Sequence, residues 1–197
     1  MEDFAGATAE LESAARLNPS SPDPPYTLGI LEMQRGHFDD AVEQLKIAVK
    51  LRSENGDGWA ILGSIYKQQN KLPEASDAVQ KAIAAMPDQP GPHSTLAGIF
   101  AQQGRTAEAA AERRKAAELT RAAVNRLRAT FVANTGSMLL RKDQIADAIE
   151  RYQEALSSDP TYVEAHRGLA TALERVGRTA EAEAERLKAV QLEQGQP

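Results

Sequence analysis

The chain repeats itself at a fixed spacing, and this limits its possible folds more than any other feature. Leu28-Gly29 and Leu62-Gly63 stand 34 residues apart, as do Ala41 and Ala75, and Ala48 and Ala82. A further step of 34 reaches Leu96-Ala97, Ala109 and Ala116. The next step, Ala109 to Ala148, is 39 residues, so about five residues are inserted there; Ala148 to Ala182 returns to 34. Independently, residues 104–119 (GRTAEAAAERRKAAEL) match residues 177–192 (GRTAEAEAERLKAVQL) at twelve of sixteen positions. A unit this short cannot bury an apolar stripe alone, so the units must stack.

Each unit reads as two helices. The first carries apolar residues at helical spacing, as in Trp59, Leu62, Gly63 and Tyr66. A polar turn follows: Arg35-Gly36-His37, Gln69-Asn70-Lys71, Gln103-Gly104-Arg105 or Val176-Gly177-Arg178. The second helix aligns residues such as Ala75, Val79 and Ala82. Pro73 suits a first helical turn, and Pro19, Pro87 and Pro160 mark stops just after second helices. Thr106 and Thr179 are expected as N-caps, with Glu108 and Glu181 in the first turn, and Thr161 with Glu164 as a capping box. Small residues recur where helices must come close: Gly29, Gly63, Gly136, Ala97 and Ala170 on first helices, and Ala41, Ala75, Ala109, Ala148 and Ala182 on second helices. A large side chain at such a site would overpack it, at about 1–3 kcal/mol.

These residues resemble the tetratricopeptide repeat family, whose signature runs W-x2-L-G-x2-Y, then Ala, a large apolar residue, Ala and Pro. Residues 56–89 supply Trp59, Leu62, Gly63, Tyr66, Ala75, Val79, Ala82 and Pro87. Residues 22–55 keep Leu28, Gly29, Phe38, Ala41, Leu45 and Ala48, but carry Pro25, Glu32 and Ser53 at the Trp, Tyr and Pro sites. Further units are 90–128, with the insertion, 129–162 and 163–197; residues 1–21 read as a lone second helix. The resemblance implies an all-α, right-handed superhelical solenoid of antiparallel helix pairs forming one domain. It also implies a concave groove lined by first helices, used to bind peptides, helices or proteins. The fold alone names no partner.

Composition removes other classes. There is no Cys, hence no disulfide, thiolate nucleophile or cysteine-ligated metal. The three His (His37, His93, His166) are too scattered for an obvious metal site. His93 and His166 occupy the slot of Trp59 and read as packing residues, and His37 reads as an exposed turn residue. A net charge of −5 and the lack of aromatics interleaved with basic residues argue against nucleic acid. No apolar run approaches the roughly 20 residues of a membrane span, and the acidic start Met1-Glu2-Asp3-Phe4 is unlike a secretion signal. If that start is the true N-terminus, a cytoplasmic location is expected. Ala supplies 35 residues, which suits closely packed helices; alanine-rich arrays with Gly-Arg-Thr turns also have a bacterial cast. No phosphate loop or nucleophile elbow is present, and pairs such as Asp39-Asp40 and Glu183-Glu185 fall in first turns or on outer helix faces. No catalytic residue, cofactor or metal is expected.

By the repeat pattern, the resemblance places Tyr26, Ile30, Met33 and Gln34 in the groove, then Ser64, Lys67, Gln68 and Gln102. Asn134, Ser137, Arg141, Arg167, Thr171 and Arg175 continue it. Small and amide side chains in the middle leave room for a helix or an extended segment. A clamp for a chaperone's C-terminal carboxylate is absent, since its sites hold residues such as Tyr26, Ile30, Ala60, Ser64, Ser94 and Thr95. An Asn ladder is absent too, the sites reading Thr27, Ile61, Thr95, Asn134 and Gly168.

The insertion leaves two readings, because residues 105–134 hold neither Gly nor Pro. The fourth unit's first helix can begin near Arg121, or one helix can run from Thr106 past Leu140 and open the stack for exchange between copies. The break is expected, because a closed stack buries more apolar surface, and Phe131 then reads as core. Residues 105–128 carry seven basic and three acidic residues, which reads as a solvated helix face or a basic docking face. The unpaired leading helix and the polar tail Glu193–Pro197 suggest a segment of a longer protein, or ends that bury against another copy. The expected role is thus a non-catalytic protein-interaction scaffold. The rivals are self-association through open ends or the helix near Arg121, and an accessory part of a larger protein.

Overall fold

The computed structural model describes residues 4–195. Among them are ten helices and no strand: α1 (Phe4–Leu17), α2 (Asp23–Gln34), α3 (Phe38–Leu51), α4 (Gly56–Gln68), α5 (Leu72–Ala85), α6 (Pro90–Gln102), α7 (Thr106–Arg141), α8 (Ile145–Ser158), α9 (Val163–Arg175) and α10 (Thr179–Glu193). Met1–Asp3 and Gln196–Pro197, at the ends of the acidic start and the polar tail, lie outside the described residues. The helices fall into two compact units, Met1–Leu119 and Thr120–Pro197, and α7 runs through the division.

One turn geometry recurs between first and second helices. Gly36 (φ 80°), Asn70 (φ 59°), Gly104 (φ 75°), Asp143 (φ 63°) and Gly177 (φ 76°) are all left-handed. Glycine reaches that region freely, and Asn and Asp tolerate it. In each case the next amide reaches back to a first-helix carbonyl. His37 N–H donates to Glu32 O (2.9 Å), Lys71 to Tyr66 (2.8 Å), Arg105 to Phe100 (2.8 Å), Gln144 to Leu139 (3.0 Å) and Arg178 to Leu173 (2.9 Å). This Schellman closure satisfies carbonyls that the helix end leaves orphaned, and it fixes how each second helix leaves the first.

The small residues are where the backbones meet. A methyl group on Gly29 would come within 2.6 Å of Leu45 Cγ and 3.3 Å of the Ala41 carbonyl oxygen. One on Gly63 would collide with Val79 Cγ2 and lie 3.3 Å from the Ala75 carbonyl oxygen. In the first unit, Ala41, Val42, Leu45 and Val49 of α3 pack with Leu62 and Ile65 of α4. Ala75 and Val79 of α5 pack with Leu96, Ile99 and Phe100 of α6, joined by Ala109. In the second unit one cluster gathers Ala129, Val132 and Ala133, Ala148, Ile149 and Tyr152 of α8, and Ala165, Leu169, Ala172 and Leu173 of α9.

Pro73 lies in the first turn of α5, and Pro19, Pro87 and Pro160 each fall two residues past a helix end. Other local expectations need correction. α7 does not break near Arg121; it is one helix of 36 residues. Residues 121–128 are all exposed and rich in Ala and Arg, so helix propensity without a breaker keeps them helical. Phe131 is not core; it is 73% exposed. Thr179 is not an N-cap: Arg178 holds that position with no side-chain cap, and its guanidinium reaches both oxygens of Glu181 (2.7 Å each). Thr106 is likewise the first helical residue, with Arg105 paired to Glu108. The Thr161 capping box is absent, because the Thr161 hydroxyl and amide both donate to Asp159 Oδ1 (2.6 and 2.9 Å).

Candidate functional site

In the first unit the expected groove residues lie on α2, α4 and α6, of which α4 and α6 are in contact. Tyr26 and Met33 of α2 are half-buried against the cluster around Leu45 and Leu62. Burial, and then the negative charge of Asp57 on α4, hold the Tyr26 phenol above its ordinary pKa. Ile30 is half-buried, whereas Gln34, Ser64, Gln68 and Gln102 are exposed. The Ser64 hydroxyl is turned back to the Ala60 carbonyl (3.0 Å). Lys67 stretches along its neighbour: a methyl group on Gly98 would lie 2.5 Å from its Nζ. Gly98 therefore clears the path of the lysine from α4 over α6.

In the second unit the corresponding side chains are more engaged with the protein. Ser137 Oγ meets Tyr152 Oη at 3.0 Å, and Ser137 also donates to the Ala133 carbonyl (3.1 Å). Arg167 pairs with Glu193 (2.6 Å). Arg175 donates to the Leu140 carbonyl (3.2 Å) and lies 3.6 Å from Asp143. Thr171 is turned to the Arg167 carbonyl (3.0 Å), while Asn134 and Arg141 are exposed. The expected site residues thus form two sets, one in each unit. Ser137, Arg167 and Arg175 thus serve the fold as tethers to neighbouring elements.

His93 and His166 are buried, as packing residues should be, at 7% and 6% exposure. Each also meets a carboxylate 19 residues on: His93 Nδ1 stands 2.6 Å from Glu112 and His166 Nδ1 stands 2.5 Å from Glu185. The second arrangement is fuller, since His166 Nε2 faces the Pro160 carbonyl at 2.9 Å and Lys188 donates to Glu185 at 2.7 Å. Burial pushes the Glu185 carboxyl up, but the hydrogen bonds from Lys188 and His166 outweigh it and hold it below the usual range. Such pairs tie a first helix to its second helix, and His93 and Glu112 also line a cleft of about 350 Å³ with Gln80, Ile83 and Phe100.

Glu32, His37 and Asp40 bring ligand atoms within 4.8 Å of one another. The two Glu32 oxygens, however, already accept from Arg35 (2.9 Å) and stand against His37 Nδ1 (2.7 Å). Beside them opens a cleft of about 730 Å³ lined by Glu12, Arg16, Leu28, Glu32, Asp39 and Glu43 among others. Its acidic wall follows from the excess of acidic residues in the first sixty.

Sequence reasoning missed one surface. Val124, Leu127, Phe131 and Met138 of α7 are 59%, 72%, 73% and 49% exposed. They recur at spacings of three, four and seven, the seam of a helix that expects a partner. That spacing was the available signal.

A tetratricopeptide repeat profile matches residues 26–90, and a second TPR repeat profile matches residues 136–177. Together the two take in just over half of the chain. The chain belongs to the tetratricopeptide repeat family. Between the two matches lies most of α7, with the insertion. The crystal structure of MamA is 24% identical, with a TM-score of 0.50, 98% of this chain and 90% of that one covered. YrrB, described as a TPR protein with an unusual peptide-binding site, is 17% identical at a TM-score of 0.52, covering 92% and 91%. The Cut9–Hcn1 structure from the APC/C is 14% identical at a TM-score of 0.52; 96% of this chain corresponds to 37% of that one. These likenesses establish the tetratricopeptide repeat fold. A search of curated proteins finds no match. Tetratricopeptide repeats serve in general as protein-interaction scaffolds, and no helix among the described residues is long and apolar enough to cross a membrane.

Proposed function

We propose that this tetratricopeptide repeat chain is a non-catalytic scaffold that binds a peptide or a helix along the first helices of its first unit. The observation that carries the reading is the mixed surface there. Tyr26, Ile30 and Met33 offer partly exposed apolar area on α2, and Gln34, Gln68 and Gln102 offer exposed amides on α2, α4 and α6. Apolar anchors with nearby amides suit an extended backbone or an amphipathic helix. YrrB supports the reading only to the extent that the same fold can carry a peptide-binding site. In the second unit the tethers of Arg167 and Arg175 leave less free side-chain surface for such binding.

The test is capture of partners from the source cell, comparing the native chain with a Tyr26→Ala/Met33→Ala variant. The expected result is at least a tenfold loss of captured partner while the variant still melts cooperatively. An unchanged partner set would move binding to another surface.

A further inference from the structure

Two residues of the exposed stripe on α7, Phe131 and Met138, have counterparts in the repeats at 56–89, 90–128 and 163–197, and there they are covered. By register, the third and tenth positions of the first helices are Gly58 and Ile65, Pro92 and Ile99, and Ala165 and Ala172, all buried. Each lies toward the second helix of the preceding repeat. Val49 Cγ1 stands 2.8 Å from where a Gly58 methyl would be. Ile65 clusters with Val42 and Leu45, Ile99 with Val79, and Ala172 with Ile149 and Tyr152. In the fourth repeat the same two positions are Phe131 and Met138, both exposed. The second helix that would cover them is residues 106–119, which belong to α7 itself. Consecutive stretches of one helix lie end to end, so this helix cannot cover its own chain's Phe131.

Side-chain size identifies the missing neighbour. At the other junctions, a large residue on the second helix faces, by register, a small one on the next first helix: Val49 and Gly58, Ile83 and Pro92, Leu156 and Ala165. The pair at the third junction is inverted, Ala117 and Phe131. At the tenth position the pairs vary, Val42 with Ile65, Ser76 with Ile99 and Ile149 with Ala172, and at the third junction the pair is Ala110 with Met138. Residues 106–119 are therefore shaped to receive the face that α7 leaves open.

We propose that two copies of the chain exchange these surfaces: residues 106–119 of each copy cover Val124, Leu127, Phe131 and Met138 of the other. The contact is isologous, so both open faces close in one dimer. The seven basic residues of 105–128 repel across it, and salt that screens them tightens the dimer. An acidic foreign partner would show the opposite salt dependence.

The chain has no cysteine, so cross-linking reads the contact cleanly. Chains carrying Ala117→Cys under one tag and Phe131→Cys under another are co-produced and treated with a short bismaleimide. Sedimentation of the native chain should give twice the 21.3 kDa of one chain, and the cross-link should join the two differently tagged chains. Phe131→Asp/Met138→Asp should halve the mass with helicity unchanged. A single-chain mass for the native protein, a cross-link forming only within one Ala117→Cys/Phe131→Cys chain, or a link joining only Phe131→Cys to its own kind would each overturn the proposal. So would a Phe131→Asp/Met138→Asp variant that stays dimeric.

Discussion

Residues 104–119 and 177–192 are nearly the same peptide, yet they end differently. Both open on a left-handed glycine, Gly104 at φ 75° and Gly177 at φ 76°. Both follow it with an Arg–Glu pair in the first turn, Arg105 with Glu108 and Arg178 with Glu181. Both bury a central alanine, Ala109 or Ala182, and both hold a first-helix histidine through a glutamate. After Leu192 the chain reads Glu-Gln-Gly, and α10 stops at Glu193 with Gly195 at φ 67°. After Leu119 it reads Thr-Arg-Ala-Ala-Val, and α7 continues to Arg141. The repeat encodes its turn, its cap and its core contact; where its second helix ends is decided by the few residues that follow.

The sharpest way to break this comparison is to give α7 the ending of α10. Ala122→Gly/Val124→Pro places Gly and Pro where the other copy carries Gly195 and Pro197. Proline inside a helix costs about 3 kcal/mol. Amide exchange over residues 122–128 should therefore speed up about a hundredfold, with far smaller changes in α3 and α4. Unchanged protection there would mean that packing, not local sequence, holds α7 continuous.

A smaller effect separates the two histidine pairs. Glu185 accepts from Lys188 as well as meeting His166, whose other nitrogen is also engaged. Among the described residues Glu112 meets only His93, and His93 Nε2 is buried without a partner. Glu185→Gln should lower stability by about 2 kcal/mol, as expected for a buried hydrogen bond to a charged group. Glu112→Gln should lower it by about half as much. Equal losses in urea melts would show that the second copy gains nothing from its extra contacts. The turns, by contrast, should respond alike. Gly104→Ala and Gly177→Ala should each lose about 1 kcal/mol, the strain of a left-handed side chain. Asn70→Gly and Asp143→Gly should gain a few tenths by relieving the same strain.

The period made the helices, the turns and the small contact sites legible in advance, because each depends on residues a few positions apart. Gly63 needed only Ala75 and Val79 at their repeat positions to explain it. The continuity of α7 was open to the same reading, since no Gly or Pro interrupts residues 105–134. The weight given to apolar burial in a closed stack hid it. Phe131 was misjudged for a related reason: its register position holds Gly, Pro or Ala in the neighbouring repeats, and a large residue there signals a changed neighbour. The threonine caps failed because Arg105 and Arg178 put a side chain onto the first-turn glutamate. On the candidate groove, the helix face could be read, but the tethers of Arg167 to Glu193 and Arg175 to Asp143 tie α9 to α10 and to the turn before α8, and no local pattern announces them.

The smallest effect concerns acid. In the second unit, Asp159 and Glu185 are partly buried carboxylates held below the usual range. Burial raises both; Arg126 and Thr161 outweigh it at Asp159, and Lys188 and His166 outweigh it at Glu185. Each therefore binds protons less readily folded than unfolded. Their contribution is complete above the ordinary carboxylate range, about 4, and is lost as the pH falls through the lower folded values. In the first unit the lowered carboxylate is Glu108, fully exposed beside Arg105, where solvent screens the pair. Acid should therefore loosen the second unit first. Trp59 is the sole tryptophan and lies in the first unit, under Lys81 at 4.4 Å, so its fluorescence reports that unit alone. Helical circular dichroism should begin to fall at a higher pH than the Trp59 signal changes. Coincident transitions would show that α7 couples the two units into one cooperative block, which would erase the difference between the two copies of the peptide as far as stability is concerned.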